Sequence, residues 1–283
     1  VDCMAILDLK KVAEDNWKNW CKLAKVDFQR VIMSNVDGSN PVRLYNYNMS
    51  VPNPIVTDNP TNSAMAKGTT PNPTSQPIVR TVTFNETLTD SQSTTTEHGI
   101  TAGASVTVKS EAGILFAKVG VEATLSFEYN WSTSTTKTTE TSRSWTDSVQ
   151  ITIPPGYVTE HTFIVQTGPF NKNVVLECDI TGTTTCVYRF PNTSQDRYTG
   201  DNAGMISEAL RAMGVPNITY PDFGIAHFTG SGSLIGRMGL QSFVNVVERP
   251  LSGRSGQVRE YQIPLTGRSG LDIPIFDPVV SRQ

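Results

Sequence analysis

The residues that can do chemistry in this chain are four cysteines, three histidines and one long alternation of apolar and polar side chains. Cys178 and Cys186 lie symmetrically about Gly182 in the run Leu176 to Tyr188, which reads as a β-hairpin. A cross-strand disulfide is one reading of that pair, and two buried thiols the other. Cys3 and Cys21 flank a helical segment with no evident geometry for pairing. His98, His161 and His227 are far apart, and no Cys/His cluster has zinc spacing, so neither a metal nor a cofactor is expected. The chain has no G-x-S-x-G elbow, no H-E-x-x-H, no phosphate-binding glycine loop and no recognisable carboxylate pair. An enzyme is not expected; a triad assembled from distant residues is the one route left to catalysis.

The alternation runs through 101–130. Val106, Val108 and Ala112 fall on even numbers, with Thr107, Lys109 and Glu111 between them. Farther on the parity flips: Val119, Val121, Ala123, Leu125 and Phe127 are odd, and Lys118, Glu122, Thr124, Ser126 and Glu128 are even. Two antiparallel strands present both apolar sets on one face only if the turn holds an even number of residues, which places a two- or four-residue turn within 113–117 and leaves Ile114, Leu115 and Phe116 near the tip. The predicted arms are 102–112 and 119–129. At about 3.3 Å per residue and a tilt of roughly 40°, each covers about 28 Å, close to the apolar band that a membrane barrel crosses. The apolar set then faces lipid and the polar set a watery lumen. One hairpin cannot enter lipid by itself, because its free edges leave backbone groups unpaired at several kcal/mol each, so several copies must close a barrel together. The other reading of the same pattern is an ordinary amphipathic hairpin over the core of a soluble sandwich.

The elements around this segment are mostly strands. Thr numbers 35 and Ser 24, about a fifth of 283 residues, against 17% charged residues. A surface wetted by hydroxyls favours β structure, since Thr suits strands and Ser and Thr are weak helix formers. The tracts 81–101 and 132–148 are the richest in hydroxyls. They read either as disordered linker or as long exposed strands, and the apolar residues at their ends, Val82, Phe84 and Leu88 in one and Trp145, Val149, Ile151 and Ile153 in the other, favour strands. Spacing predicts an amphipathic helix over 5–25 and a short one over 203–213, while six prolines between Val51 and Pro77 call for extended or irregular chain. The fold class is all-β with a few short helices. The net charge of −3 lacks the basic excess expected for nucleic-acid binding. No stretch nears the 18 apolar residues of a spanning helix, and no secretory signal pattern begins the chain.

Three stretches resemble the aerolysin-type β-pore-forming toxins of the epsilon-toxin and mosquitocidal branch, and most closely the small parasporal crystal proteins and parasporins of spore-forming bacilli. They are Met4 to Lys10, the hydroxyl-rich strands beside the hairpin with Trp145 to Pro155, and the run from Val247 to Leu265 continued by Asp272 to Pro278. The resemblance implies an elongated molecule of long antiparallel strands with a receptor-binding head and a terminal β-sandwich. It implies crystal deposition, protease activation, binding to a glycan or protein receptor, and assembly into a homo-oligomeric ring on the target-cell membrane.

On that reading 1–50 and 191–228 form the head, 51–190 carries the long strands with the insertion hairpin, and 229–283 completes the β domains. Trp17, Trp20, Tyr45, Tyr47, Tyr198, Tyr220 and Phe223 are candidates for receptor contact, with core packing as the alternative for each. Lys10, Lys11, Arg268 and Arg282 are candidate cleavage points. A non-lytic binding module such as a lectin is the competing function.

Overall fold

Runs of Thr, Val, Ile and aromatic residues at alternate positions build strands of up to 26 residues. The computed structural model describes residues 5–51, 54–57, 60–117, 121–191 and 199–267. In chain order the elements are β1 (Ala5–Asp8), α1 (Leu9–Ala24), β2 (Asp27–Ile32), β3 (Arg43–Ser50), β4 (Ile55–Thr57) and β5 (Thr61–Pro71). Next come β6 (Ile78–Thr101), β7 (Thr107–Phe116), β8 (Val121–Asn130), β9 (Lys137–Ile153) and β10 (Tyr157–Thr181). The last are β11 (Thr183–Arg189), β12 (Thr199–Met205), α2 (Ile206–Ala212), β13 (Ile218–Asp222), β14 (Ile225–Pro250) and β15 (Arg259–Gly267).

β10 and β14 pair antiparallel from Tyr157↔Pro250 to Ile180↔Ala226 and form the spine of the main sheet. β6 pairs with β14 only from Ser91 to His98. Its N-terminal part continues away from β14 and pairs with β9, from Ile78↔Ile153 to Thr94↔Lys137. β14 instead takes β15 as its neighbour there, and β10 takes β5. The sheet thus splits into two layers, the β6–β9 ribbon over β5–β10–β14–β15. The core between them holds Phe84, Trp145, Ile151, Phe163, Val165, Val244 and Val246, with the Phe84 and Phe163 rings stacked at 4.8 Å. This is the terminal sandwich. The first hydroxyl-rich tract is strand throughout and the second is strand from Lys137 onward, with 132–136 outside β9. Their outer face carries cross-strand hydroxyl pairs, Thr83–Ser148 at 3.4 Å, Thr89–Ser142 at 3.5 Å and Ser93–Thr138 at 2.8 Å, and Thr95 meets Thr136 just before β9 at 2.8 Å.

At the opposite end, β12–β11–β2 forms a separate three-stranded sheet on which α1 docks through Trp17 and Cys21. The predicted first helix is shorter than its pattern suggested. Ala5–Asp8 pairs in parallel with His98–Thr101 of β6, and Asp8 then caps α1, accepting from the Lys10 and Lys11 amides at 2.9 and 3.2 Å. Likewise 203–205 belongs to β12, and α2 begins only at Ile206.

The expected hairpin around Gly182 is not formed. Gly182 has φ +116°, leaving one residue between β10 and β11, too few to reverse a strand; the chain turns a corner and enters the other sheet. Cys178 and Cys186 therefore lie in different sheets and do not pair. Both are free thiols.

Candidate functional site

β7 and β8 form an antiparallel hairpin with register Phe116↔Val121 through Thr107↔Asn130. Facing pairs join even to odd numbers, as the parity flip requires, and the connection spans 117–120, an even count. That connection comes later than predicted. Ile114, Leu115 and Phe116 are therefore strand residues that lead up to the tip. The alternation settles their faces: Ile114 and Phe116 are on the apolar side, whereas Leu115 shares the outer face with Lys109 and Glu111. The predicted first arm also begins too early. The small residues Ala102 to Ser105 have little strand preference, and here the chain bends, with the Gly103 amide bonded to Thr101 Oγ1 at 3.1 Å and the Val106 amide to Ser132 Oγ at 2.8 Å. Lys118 and Val119, and the side chain of Val121, lie outside the described residues.

In the folded chain the apolar face is buried. Ala112, Ile114, Phe116, Ala123, Leu125, Phe127 and Tyr129 join one cluster with Phe170, Val174 and Leu176 of β10 and Leu234, Met238 and Leu240 of β14, and Val106 and Val108 pack at its margin. Two glycines on the spine make room. A Cβ at Gly168 would strike the Phe116 ring, and one at Gly232 would strike the Tyr129 phenol. The opposite face is polar: Thr107, Lys109, Glu111, Glu122, Thr124 and Ser126 are exposed. On that face Ser126 donates to Glu111 at 3.1 Å, and Glu128 is paired with Lys137 of β9 at 3.0 Å.

The hairpin's fastening sets it apart from the main sheet. No backbone ladder joins β8 to β6 among the described residues. Instead, alternate side chains of β6 reach alternate carbonyls of β8: Gln92 Nε2 donates to Ser126 O at 3.1 Å, Thr94 Oγ1 to Glu128 O at 3.1 Å and Thr96 Oγ1 to Asn130 O at 2.7 Å. The Tyr129 hydroxyl contacts Thr95 O at 2.7 Å and Ser233 O at 2.6 Å, bridging β6 and β14. Open spaces flank this seam, a cleft of about 460 Å³ lined by Lys109, Glu111, Glu128 and Lys137 and a cavity of about 160 Å³ lined by Asp90, Leu125, Arg143 and Met238. Along the other edge, the short β4 pairs in parallel with Ile114 to Phe116. At the base, Ile100 donates to Trp131 O at 3.0 Å and Trp131 donates to Val106 O at 2.9 Å.

The aromatic candidates do not form one patch. Trp17 is a core residue, 6% exposed, with Nε1 donating to Thr184 Oγ1 at 2.9 Å; it is no surface contact. Trp20 meets Trp17 edge-on at 5.7 Å and Tyr188 at 5.4 Å. Tyr188 and Phe190, which the sequence reading passed over, extend this group; their spacing of two, at the end of β11 and just past it, was the available signal. Tyr45 lies under Arg43 and Tyr220 under Arg211. Tyr47 rests edge-on against Trp131 at 5.6 Å, beside the hairpin base. Phe223 is 79% exposed in the β13–β14 turn. Tyr198 lies outside the described residues.

A charged group sits where β3, β10 and β14 meet. His227 Nδ1 is 2.8 Å from Asp179 Oδ1, Asn46 donates to Asp179 Oδ2 at 2.7 Å, and Asn48 donates to Glu177 at 2.9 Å. Burial by itself would raise the Asp179 carboxyl, but the bonds from Asn46 and His227 outweigh it and hold the group below its ordinary value. Among the described residues no group of His, Cys, Asp and Glu is arranged to hold a metal ion.

Comparison with known proteins finds a match over residues 34–260 to the family described as Clostridium epsilon toxin ETX/Bacillus mosquitocidal toxin MTX2. Pesticidal crystal protein Cry15Aa of Bacillus thuringiensis subsp. thompsoni is 32% identical over 216 residues, 69% of this chain; the match spans 64% of that relative's length. A non-toxic crystal protein from Bacillus thuringiensis superposes with a TM-score of 0.75 at 27% identity, over 89% of this chain and 100% of that one. A structure of the Cry23Aa1 and Cry37Aa1 binary protein complex gives a TM-score of 0.74 at 28% identity, covering 94% and 98%.

Proposed function

The chain belongs to the family of epsilon toxin ETX and mosquitocidal toxin MTX2, the aerolysin-type pore-forming toxins, and from that membership we propose that its β7–β8 hairpin is the segment that enters a target membrane. Membership supports a non-catalytic, pore-forming role of the crystal-protein kind. The finer steps are proposals: binding of a cell-surface receptor, activation by a protease, assembly of several copies, and closure of a barrel from one hairpin per copy.

The observation that carries this reading is a hairpin apolar on one face and polar on the other, held to the sheet by side chains. Each strand has 10 residues and covers about 25 Å at a tilt of roughly 40°, the height of a barrel's apolar band. Exposing Ile114, Phe116, Leu125 and Phe127 to water costs about 2 kcal/mol each. Lipid gives this back, since the same area ends in an apolar medium. It does not satisfy the backbone on the hairpin's outer edges, which is why closure by neighbouring copies decides the outcome. The polar face, Lys109, Glu111, Glu122 and Glu128 among it, then lines the lumen. The head contributes Trp20, Tyr188 and Phe223 as receptor contacts. Lys10 and Lys11 lie in the first turn of α1, a regular helix and a poor protease substrate; Arg268 and Arg282 lie outside the described residues.

The test is a tether. Leu125 and Met238 line one cavity at the seam, so cysteines are placed in both positions, and the oxidised form is used once peptide mapping shows that they are bonded to each other. Protease-treated tethered protein should release no dye from susceptible cells until reductant is added, with wild-type protein under the same reductant as control. Undiminished release from the oxidised form sinks the reading.

A second reading is favoured by the non-toxic crystal protein among the structural relatives: this chain binds a glycan or protein and does not lyse cells. Receptor binding with neither an SDS-resistant oligomer nor leakage, before or after proteolysis, selects it.

A further inference from the structure

Cys21, near the end of α1, and Cys186, in the middle of β11, bring their sulfurs to 3.5 Å across a sequence separation of 165. Only the docking of α1 on its sheet brings them together. Both are buried, at 2% and 0% exposure, in a small core with Trp17 that is walled by Trp20, Phe28, Val31 and Tyr188. The sulfurs stand about 1.5 Å beyond bonding distance, a gap that thiol rotation and a small settling of the helix can close. Cys178 is equally buried but belongs to the core under the hairpin, and no second thiol is paired with it among the described residues.

We propose that Cys21 and Cys186 form an intramolecular disulfide, with a small peroxide as the oxidant. One cysteine, as thiolate, attacks a peroxide oxygen; the O–O bond breaks, and a sulfenic acid and hydroxide result. The sulfur of the second cysteine then attacks the sulfenic sulfur, the S–S bond forms, and the S–OH oxygen leaves as water with the remaining proton. Two thiols and one hydrogen peroxide give one disulfide and two waters. Burial of both sulfurs behind apolar side chains favours a small uncharged oxidant over bulky disulfides. Burial, with Cys21 alongside, pushes the Cys186 thiol up to about 12, so Cys186 thiolate is scarce at neutral pH. Once formed, the bond pins the helix carrying Trp20 to the strand carrying Tyr188, whose rings are 5.4 Å apart.

The full chain is treated with hydrogen peroxide, unfolded in iodoacetamide, digested and mapped by mass spectrometry. The expected product joins the Cys21 and Cys186 peptides at a mass about 2 Da below their sum, vanishes on reduction, and leaves Cys178 alkylated. Its rate should rise with pH, since the attacking species is a thiolate. Cys178→Ser should keep the link and Cys21→Ser should abolish it; if Cys21→Ser does not fold, the wild-type and Cys178→Ser maps decide. Alkylation of both Cys21 and Cys186, a link through Cys3 or Cys178, a link between two chains, or Cys186 oxidised to a sulfinic acid beside an unreacted Cys21 each overturns the proposal.

Discussion

Phe116 lies against Gly168 so closely that no side chain fits between them. The glycine follows the register shift between Gln166 and Thr167 in β10, so the spine bends where the tip half of the hairpin docks. Gly168→Ala should lower stability by about 2 kcal/mol or more, because the spine cannot retreat from the ring. Phe116→Leu in the same chain should recover part of the loss. Melting of the four-member mutant cycle measures the coupling, and additive losses would mean that the two residues are independent.

The Tyr129 hydroxyl is the clamp across β6 and β14. Tyr129→Phe removes it and deprives whichever of Thr95 O and Ser233 O holds its single proton of a donor, at about 1–3 kcal/mol. Hydrogen exchange of the β8 amides should accelerate while the sandwich strands keep their protection. Uniform acceleration along β10 and β14 would show global weakening in place of local release.

The two faces of the hairpin should respond differently to charge. Glu122→Lys, on the exposed face, should leave folding and leakage intact and shift the pore's ion preference toward anions in planar bilayers. Leu125→Asp, on the buried face, should abolish leakage. An unchanged reversal potential in the Glu122→Lys pore would remove that residue from the lumen.

Acid should loosen the junction of β3, β10 and β14. The Asp179 pKa is lowered in the folded state, so its contribution to stability is present above the ordinary carboxylate value of 3.8 and is lost as pH falls through the lower folded value. Asp179→Asn should therefore flatten the acid limb of stability against pH. A limb of unchanged steepness would assign acid sensitivity to other groups.

The sequence carried the hairpin's parity because strand alternation has a period of two and survives any tertiary context. It did not carry the position of the turn: apolar residues at 114–116 look alike whether they close a loop or continue a strand. Leu115 was misassigned for that reason. The Ser/Thr tracts were legible as strands because Val82, Phe84 and Trp145 mark an inward face. The Cys178–Cys186 pairing failed on one backbone angle at Gly182, which symmetry in the letters cannot encode. The Cys21–Cys186 approach was invisible because it depends on how α1 settles on a sheet assembled from 27–32, 183–189 and 199–205. Trp17 shows the same limit from the other side, since tryptophan in a helix serves a core or a surface equally well.

The outer side of the β6–β9 ribbon is an array of hydroxyls, each able both to give and to take a hydrogen bond. Glu140, between Thr138 and Ser142 on β9, is the charged member of that side. A contact made through these hydroxyls can be exchanged for water one bond at a time, since water offers every hydroxyl an equivalent partner.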